Sequence, residues 1–422
     1  MSERVVLSDT RRQAGWLPDQ ADLEAWLDGH RARTHEHRTD GEVAPVIAEF
    51  RDLLDHEPVL RMYLERAIAE TPVGRSYSNR PFDSVDELLL MIDEVLTIAP
   101  EFGDEMAATP LGAVLDWTMG TAAGFAAYRD PRLNAMLRKV LTEWCRFLDS
   151  EQSLYVLHDG PRGWLSDEAR RTLGLDEYEQ DPDDPHLGFT SWNDFFTRRF
   201  KPGARPVAAP DDDSVIANAC ESTPYRIVPG VQRTDRFWIK SQPYSLTEML
   251  ADDEAVDRFV GGTVYQAFLS ANDYHRWHSP VSGTVLRASV LEGTYYAESE
   301  AIGADATEPI DSQAYITHIA ARALIVIQAD DPAIGLVAFL AVDMVEVSTC
   351  IVAEGAQAGM HVAKGDELGR FQFGGSTHCV LFEPGVIQSF EADALPRAED
   401  PNPPLKKVRT ALAHVARPAQ RQ

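Results

Sequence analysis

KGDELGRFQFGGSTHCVLFEPG, residues 364–385, is the stretch on which the reading of this chain turns. Its second half, CVLF at 379–382, is short, apolar and closed by Pro384-Gly385, the pattern of a buried strand. The four residues Gly374-Gly375-Ser376-Thr377 just before it read, on their letters alone, as a tight turn. Upstream the same grammar of short β-rich runs between turn residues repeats. It gives VIANA (215–219), RFWIK (236–240), GGTVYQAFL (261–269), GTVLRASV (283–290), ALIVIQA (323–329) and GLVAFLAVDMV (335–345). From about residue 206 the chain is therefore expected to be dominated by sheet.

Before about residue 150 the period changes to that of helices. Val46, Ile47, Phe50, Leu53 and Leu54 share a helical face within 43–69. Ser84 and Glu87 stand at capping-box spacing ahead of the apolar run LLLMI. A third helical region is expected over 110–127, and Pro131 opens a fourth that continues to 148. The acidic, proline-containing stretch LDEYEQDPDDPHL (175–187) reads as a linker or exposed loop. The fold class is α+β: a helical N-terminal domain with an acidic linker over 1–180, a β-rich domain over 187–400, and a C-terminal tail over 401–422. From 405 onward that tail has five Lys and Arg residues and no acid, and reads as solvated or as a docking segment.

A length of 422 residues suits two domains, and 44% hydrophobic with 25% charged residues is ordinary for a globular chain. The net charge of −28 is not ordinary; it weighs against nucleic acid and anionic lipid surfaces as partners. Cys145, Cys220, Cys350 and Cys379 form no CxxC pair, so a reducing, cytoplasmic setting is expected. The first 20 residues lack the apolar core of a signal peptide. No apolar run reaches the roughly 18 residues of a membrane span.

The Gly375-Ser376 step has a chemical reading beside the turn reading. A serine hydroxyl can attack the carbonyl carbon of the preceding residue through a five-membered ring, moving the acyl group from nitrogen to oxygen. Elimination from that ester leaves dehydroalanine, and hydrolysis then gives a pyruvoyl group and ammonia. Glycine before the serine supplies the backbone freedom such a geometry needs. The hydroxyl needs a base. His275 and His278 stand three apart in the charged and aromatic segment 272–280, which suits proton transfer. The same pair also reads as a polar loop, or with His378 as metal ligands, although no carboxylate or cysteine completes a zinc pattern.

Several segments, in order, resemble the phosphatidylserine decarboxylase family of pyruvoyl enzymes over roughly 187–386. They are WNDFFTRR (192–199) with KPGARP (201–206), Ile239-Lys240 with PYSL (243–246), DYHRWHSP (273–280) with Gly283, and KGDELGRF (364–371) leading into Gly374-Gly375-Ser376-Thr377. The resemblance implies self-cleavage between Gly375 and Ser376, Ser376 as the source of a covalent pyruvoyl cofactor, and β and α chains that stay associated. It implies His278 as the base for cleavage and His275 as the group that handles the proton replacing carbon dioxide. Glu221, in NACES (218–222), takes the place of the family aspartate that orients the base, with Ser222 where glycine is usual. The cleavage motif departs too, with Gly374 where many members have leucine. These departures and the helical extension are similar to the soluble branch that includes a fungal L-tryptophan decarboxylase. A free amino acid, most of all an aromatic one, is then the expected substrate, bound as a Schiff base. Gly374, Thr377, His378, Tyr274 and Trp277 are candidate pocket residues. Neither pyridoxal phosphate nor a metal is expected, and a homo-oligomer is compatible with all of this. A phosphatidylserine decarboxylase, a non-catalytic scaffold that keeps the fold, and a metal-dependent hydrolase stand as alternatives.

Overall fold

The computed structural model describes residues 20–37, 43–71, 80–103, 108–235, 244–270, 272–299, 312–346, 349–397 and 403–416. The run RFWIK, Ile239, Lys240 and Pro243 lie outside the described residues. Among the described residues nine α-helices come first: α1 (Gln20–His37), α2 (Pro45–His56), α3 (Pro58–Glu70), α4 (Val85–Val95), α5 (Pro110–Met119), α6 (Ala122–Ala127), α7 (Pro131–Leu148), α8 (Asp167–Leu173) and α9 (Trp192–Phe196). The 43–69 region is two helices rather than one, because Pro58 opens a new first turn. The 110–127 region is likewise two, the second capped by the Thr121 hydroxyl. Ser84 caps α4 as its spacing implies, accepting from Glu87 N at 3.2 Å. Helix α1 was not foreseen.

The strands are β1 (Val215–Ala217), β2 (Thr223–Pro229), β3 (Thr263–Leu269), β4 (Arg276–His278), β5 (Gly283–Leu291), β6 (Arg322–Ala329), β7 (Leu336–Val345), β8 (Thr349–Val352), β9 (His361–Val362), β10 (Glu367–Gln372), β11 (Gly375–Phe382), β12 (Ile387–Phe390) and β13 (Ala411–Val415). Three short helices, α10 (Leu246–Met249), α11 (Val256–Phe259) and α12 (Gln313–Ile319), lie among them. A seven-stranded antiparallel sheet runs β2-β3-β11-β7-β6-β5-β9, and β4-β10-β8 and β1-β13-β12 form two smaller sheets. The α+β architecture read from the sequence is the one observed.

The central sheet is covered on both faces, and the alternation along its strands shows which residue faces where. On β7, Leu336, Ala338, Leu340, Val342 and Met344 join the core shared with the N-terminal helices. Val337, Phe339 and Ala341 join a second core, shared with the two small sheets. Burial on both faces explains why β7 reads as an unbroken apolar run.

The segment expected to be a solvated tail is built into this second core. Strand β13 lies between β1 and β12, and Leu412, Ala413 and Val415 are buried. Lys406 is buried as well, its ammonium bonded to Asp393 at 2.6 Å. Leu412, Ala413 and Val415 are not strictly alternating, and basic neighbours masked the apolar signal. The acidic stretch after Gly174 also docks in its first half, where Leu175 and Tyr178 are buried and Tyr178 stacks on Phe200.

Candidate functional site

Ser376 is not in a turn. It is a fully buried residue of β11, the strand between β3 and β7, paired with Leu269 on one side and Asp343 on the other. The pairing slips between Gly375 and Ser376: Gly375 faces Val345 and Ser376 faces Asp343, so Met344 is the extra residue of a β-bulge. The expected cleavage peptide therefore sits on that bulge, the kind of irregularity that re-aims groups beside reactive sites. The left-handed backbone falls at Gly374 (φ 149°), not at Gly375, which corrects the position at which glycine's freedom is used. The Ser376 hydroxyl has no hydrogen-bond partner among the described residues.

Alternation along β11 puts Ser376 and His378 on the face of Val380 and Phe382, and Thr377 on the opposite face with Cys379 and Leu381. Thr377 is fixed there, donating to Ala267 O at 3.0 Å and accepting from Gln266 Nε2 at 3.1 Å. His378 is buried near Tyr265 and Phe339, and burial pushes its pKa down to about 3. Asp343 shares the face of Ser376, because it has the parity of Ala341 and is its cross-strand neighbour.

His278 ends β4, opposite Glu367 of β10. Its Nδ1 lies 2.9 Å from Gly365 O, a group that only accepts, so Nδ1 carries the proton. Nε2 is then the acceptor, and the Tyr274 hydroxyl donates to it at 3.0 Å. Burial first, and then the Arg409 guanidinium, hold the imidazole neutral, with a pKa lowered to about 3. Tyr274 is in turn packed on Phe200, at 4.4 Å between ring centres. His275 is fully buried and stacks on Phe196 at 4.0 Å, and Phe196 meets Phe373, three residues before Ser376. Burial, with Arg198 adding to it, pushes the His275 pKa well down.

Two expectations change here. Glu221 does not hydrogen-bond His278. It is gripped by Arg205, with Nη2 to Oε1 at 2.7 Å and Nε to Oε2 at 3.1 Å, and Oε2 also accepts Val408 N at 2.8 Å. The Arg205 guanidinium covers the Phe200 ring at 4.1 Å, and Phe200 packs on Tyr274, the residue bonded to His278. The longer glutamate side chain has found a cation on the segment KPGARP. Trp277 is not a pocket wall either: it is core, packed between Phe339 and Phe371.

Sequence reasoning passed over Asp343, Glu346 and Arg205. The first two had a signal, since acids inside or just beyond an apolar strand run are buried charges that need a reason. Among the described residues, no group of three or more His, Cys, Asp or Glu is arranged to hold a metal ion, and no helix is long and apolar enough to cross a membrane.

Comparison with known proteins gives the family of the chain. The family model described as "Phosphatidylserine decarboxylase" matches residues 192–399, and a second model of that enzyme matches 44–173. The chain is 40% identical over 335 residues to a protein of Amanita muscaria named Decarboxylase iboD, covering 72% of this chain and 95% of that one. It is 31% identical over 420 residues to an L-tryptophan decarboxylase of Psilocybe cubensis, covering 92% of each. It is 34% identical over 215 residues to phosphatidylserine decarboxylase proenzyme 3 of Schizosaccharomyces pombe, covering 50% of this chain and 21% of the relative. The chain is thus an enzyme of the carboxy-lyase class, a decarboxylase. It belongs to the phosphatidylserine decarboxylase family, whose members are typically pyruvoyl-dependent and cut themselves.

Proposed function

We propose that this chain is a self-processing decarboxylase of a free amino acid, aromatic in the first place, whose pyruvoyl group comes from Ser376. One observation carries the reading: the Gly375-Ser376 peptide is buried on a β-bulge, with the Ser376 hydroxyl bonded to no described residue. A hydroxyl without a partner is free to turn on the neighbouring carbonyl, and the bulge spares that peptide from regular ladder geometry.

His278 is the base in this reading. It is neutral and held in one tautomer by Gly365, and its Nε2 must exchange the Tyr274 hydroxyl for that of Ser376. Catalytic contacts of this kind often tighten only as reaction begins. Glu221 serves as an anchor for Arg205 and the segment at Val408 rather than as a partner of the base. A pyruvoyl group at position 376 would supply a ketone for a Schiff base with the substrate's amine, water being released, and an electron sink for the pair left as carbon dioxide departs. His275, beside the aromatic wall of Phe196 and Phe373, would pass on the proton that replaces carbon dioxide, one ring nitrogen giving it up as the other takes one up in exchange.

Support for a free amino acid is the extent of likeness: 92% of each chain against the L-tryptophan decarboxylase, half of this chain against the phosphatidylserine decarboxylase proenzyme. The four cysteines are buried and unlinked, which suits a cytoplasmic chain. Cleavage would leave residues 376–422 zipped in place, since β11 lies between β3 and β7, so the two pieces stay together. The test is intact mass. The wild-type chain should yield pieces ending at Gly375 and starting at 376, the latter blocked at its N-terminus. Ser376→Ala should stay one chain of 46.8 kDa. A wild-type chain recovered whole, or carbon dioxide released only from phosphatidylserine vesicles, would overturn the corresponding half of the proposal.

A further inference from the structure

Past the end of β7 stands an acid that the mechanism above does not use. Glu346 follows Val345, the residue paired with Gly375 at the expected cleavage site. It is fully buried, and its backbone is left-handed (φ 65°), uncommon for a residue other than glycine, asparagine or aspartate. Its Oε1 accepts from Gly112 N at 2.5 Å, in the first turn of α5. Its Oε2 has no partner among the described residues. The hydroxyl of Tyr296 has none either; burial first, and then the charges of Glu346 and Asp343, push its pKa up. Asp343 is the cross-strand neighbour of Ser376. Glu346 thus lies one residue past the pairing that holds the expected cleavage peptide, and is bonded to the first turn of α5. Beyond Tyr295, which feels the charge of Asp343, opens a cleft of about 920 Å³, with Asn134, Arg138 and Thr294 in its lining.

An acid buried with one oxygen idle is costly unless something arrives to bond it. The Gly112 amide in the first turn of α5 fixes Oε1 and leaves Oε2 as the unmet acceptor. We propose that Glu346 is a specificity-determining residue, accepting a hydrogen bond from an N–H group on the side chain of the amino acid substrate. Two sources offer that chemistry, the ring N–H of an indole and the ammonium of a basic side chain. Burial pushes the Glu346 carboxyl well up despite the backbone amides of Leu111 and Gly112, and a substrate N–H at Oε2 would work against that shift. The inference rests on the reading of the chain as a decarboxylase of free amino acids.

The test compares kcat/KM for pairs that differ in the N–H: L-tryptophan against 1-methyl-L-tryptophan, and L-lysine against L-norleucine. A ratio within one preparation is independent of how much of it is active. For at least one pair the wild-type chain should favour the N–H donor by about tenfold or more, since an unmet buried acceptor is what rejects the analogue. Glu346→Gln is nearly isosteric; its amide oxygen must still serve Gly112 N–H, so its NH2 turns to the substrate and the preference should fall towards one. Glu346→Leu should do the same. The pair whose ratio collapses names the source of the N–H. Activity with no preference in the wild type, or a preference that survives Glu346→Gln, overturns the inference and leaves the proposed function standing. A cut chain inactive on every free amino acid overturns both.

Discussion

Glu221→Ala separates the two jobs that the sequence and the structure give this residue. In the structure the carboxylate is 3% exposed, bonded through both oxygens to an Arg205 side chain that is itself 6% exposed, and it also takes Val408 N. Removing it leaves a buried guanidinium and a buried amide unmet. Breaking a buried pair in this way costs about 3–5 kcal/mol. Arg205 keeps Glu177, but that carboxylate is 42% exposed, so Glu177→Ala should cost no more than about 1 kcal/mol. The assay is thermal unfolding of both variants on the Ser376→Ala background, where every chain is uncut, followed by the self-cleavage rate on the wild-type background well below the lower midpoint. We expect a large fall in midpoint for Glu221→Ala, a small one for Glu177→Ala, and cleavage of folded Glu221→Ala within about threefold of wild type. A Glu221→Ala chain with a wild-type midpoint that fails to cut would refute the anchoring role and restore the carboxylate as partner of the base.

Tyr274→Phe removes the hydroxyl that occupies His278 Nε2, so self-cleavage should hold its rate or quicken, at a stability cost of about 0.5–1.5 kcal/mol; an uncut variant on a denaturing gel would mean that Tyr274 relays the proton. His275→Ala should cut normally yet lose about 10²–10⁴-fold in turnover; uncut chain in that variant would show that the two histidines have exchanged roles. His278 and His378, lowered to about 3, and His318, lowered to about 4, are neutral in the folded chain, whereas an unfolded histidine takes up its proton near 6.5. The unfolded state therefore binds more protons below that pH, and stability present above pH 6.5 should be lost as pH falls towards 3–4. Each of the three adds up to about 1.4 kcal/mol per pH unit. Urea unfolding at pH 7.5, 6.5 and 5.5 reads the slope, and a flat profile would show that these rings are already charged in the fold.

Local chemistry was legible in the letters. Alternating and unbroken apolar runs located β1, β3, β5, β6 and β7, Ser84 announced the start of α4, and the serine after two glycines pointed to Ser376. These signals depend on neighbours a few residues away, and a sequence displays them directly. What the fold alone decided was which distant groups meet. Ser376 reads as a turn until β3 and β7 close on either side of it, and the bulge exists only because Val345 and Asp343 take successive residues of β11. Glu221 reads as the partner of a histidine until Arg205 folds back over Phe200 and claims both oxygens. The basic tail reads as solvated until β13 finds β1 and β12. Strand register and ion pairing are set by which surfaces exclude water together, a property of the packed chain that no window of neighbouring residues contains.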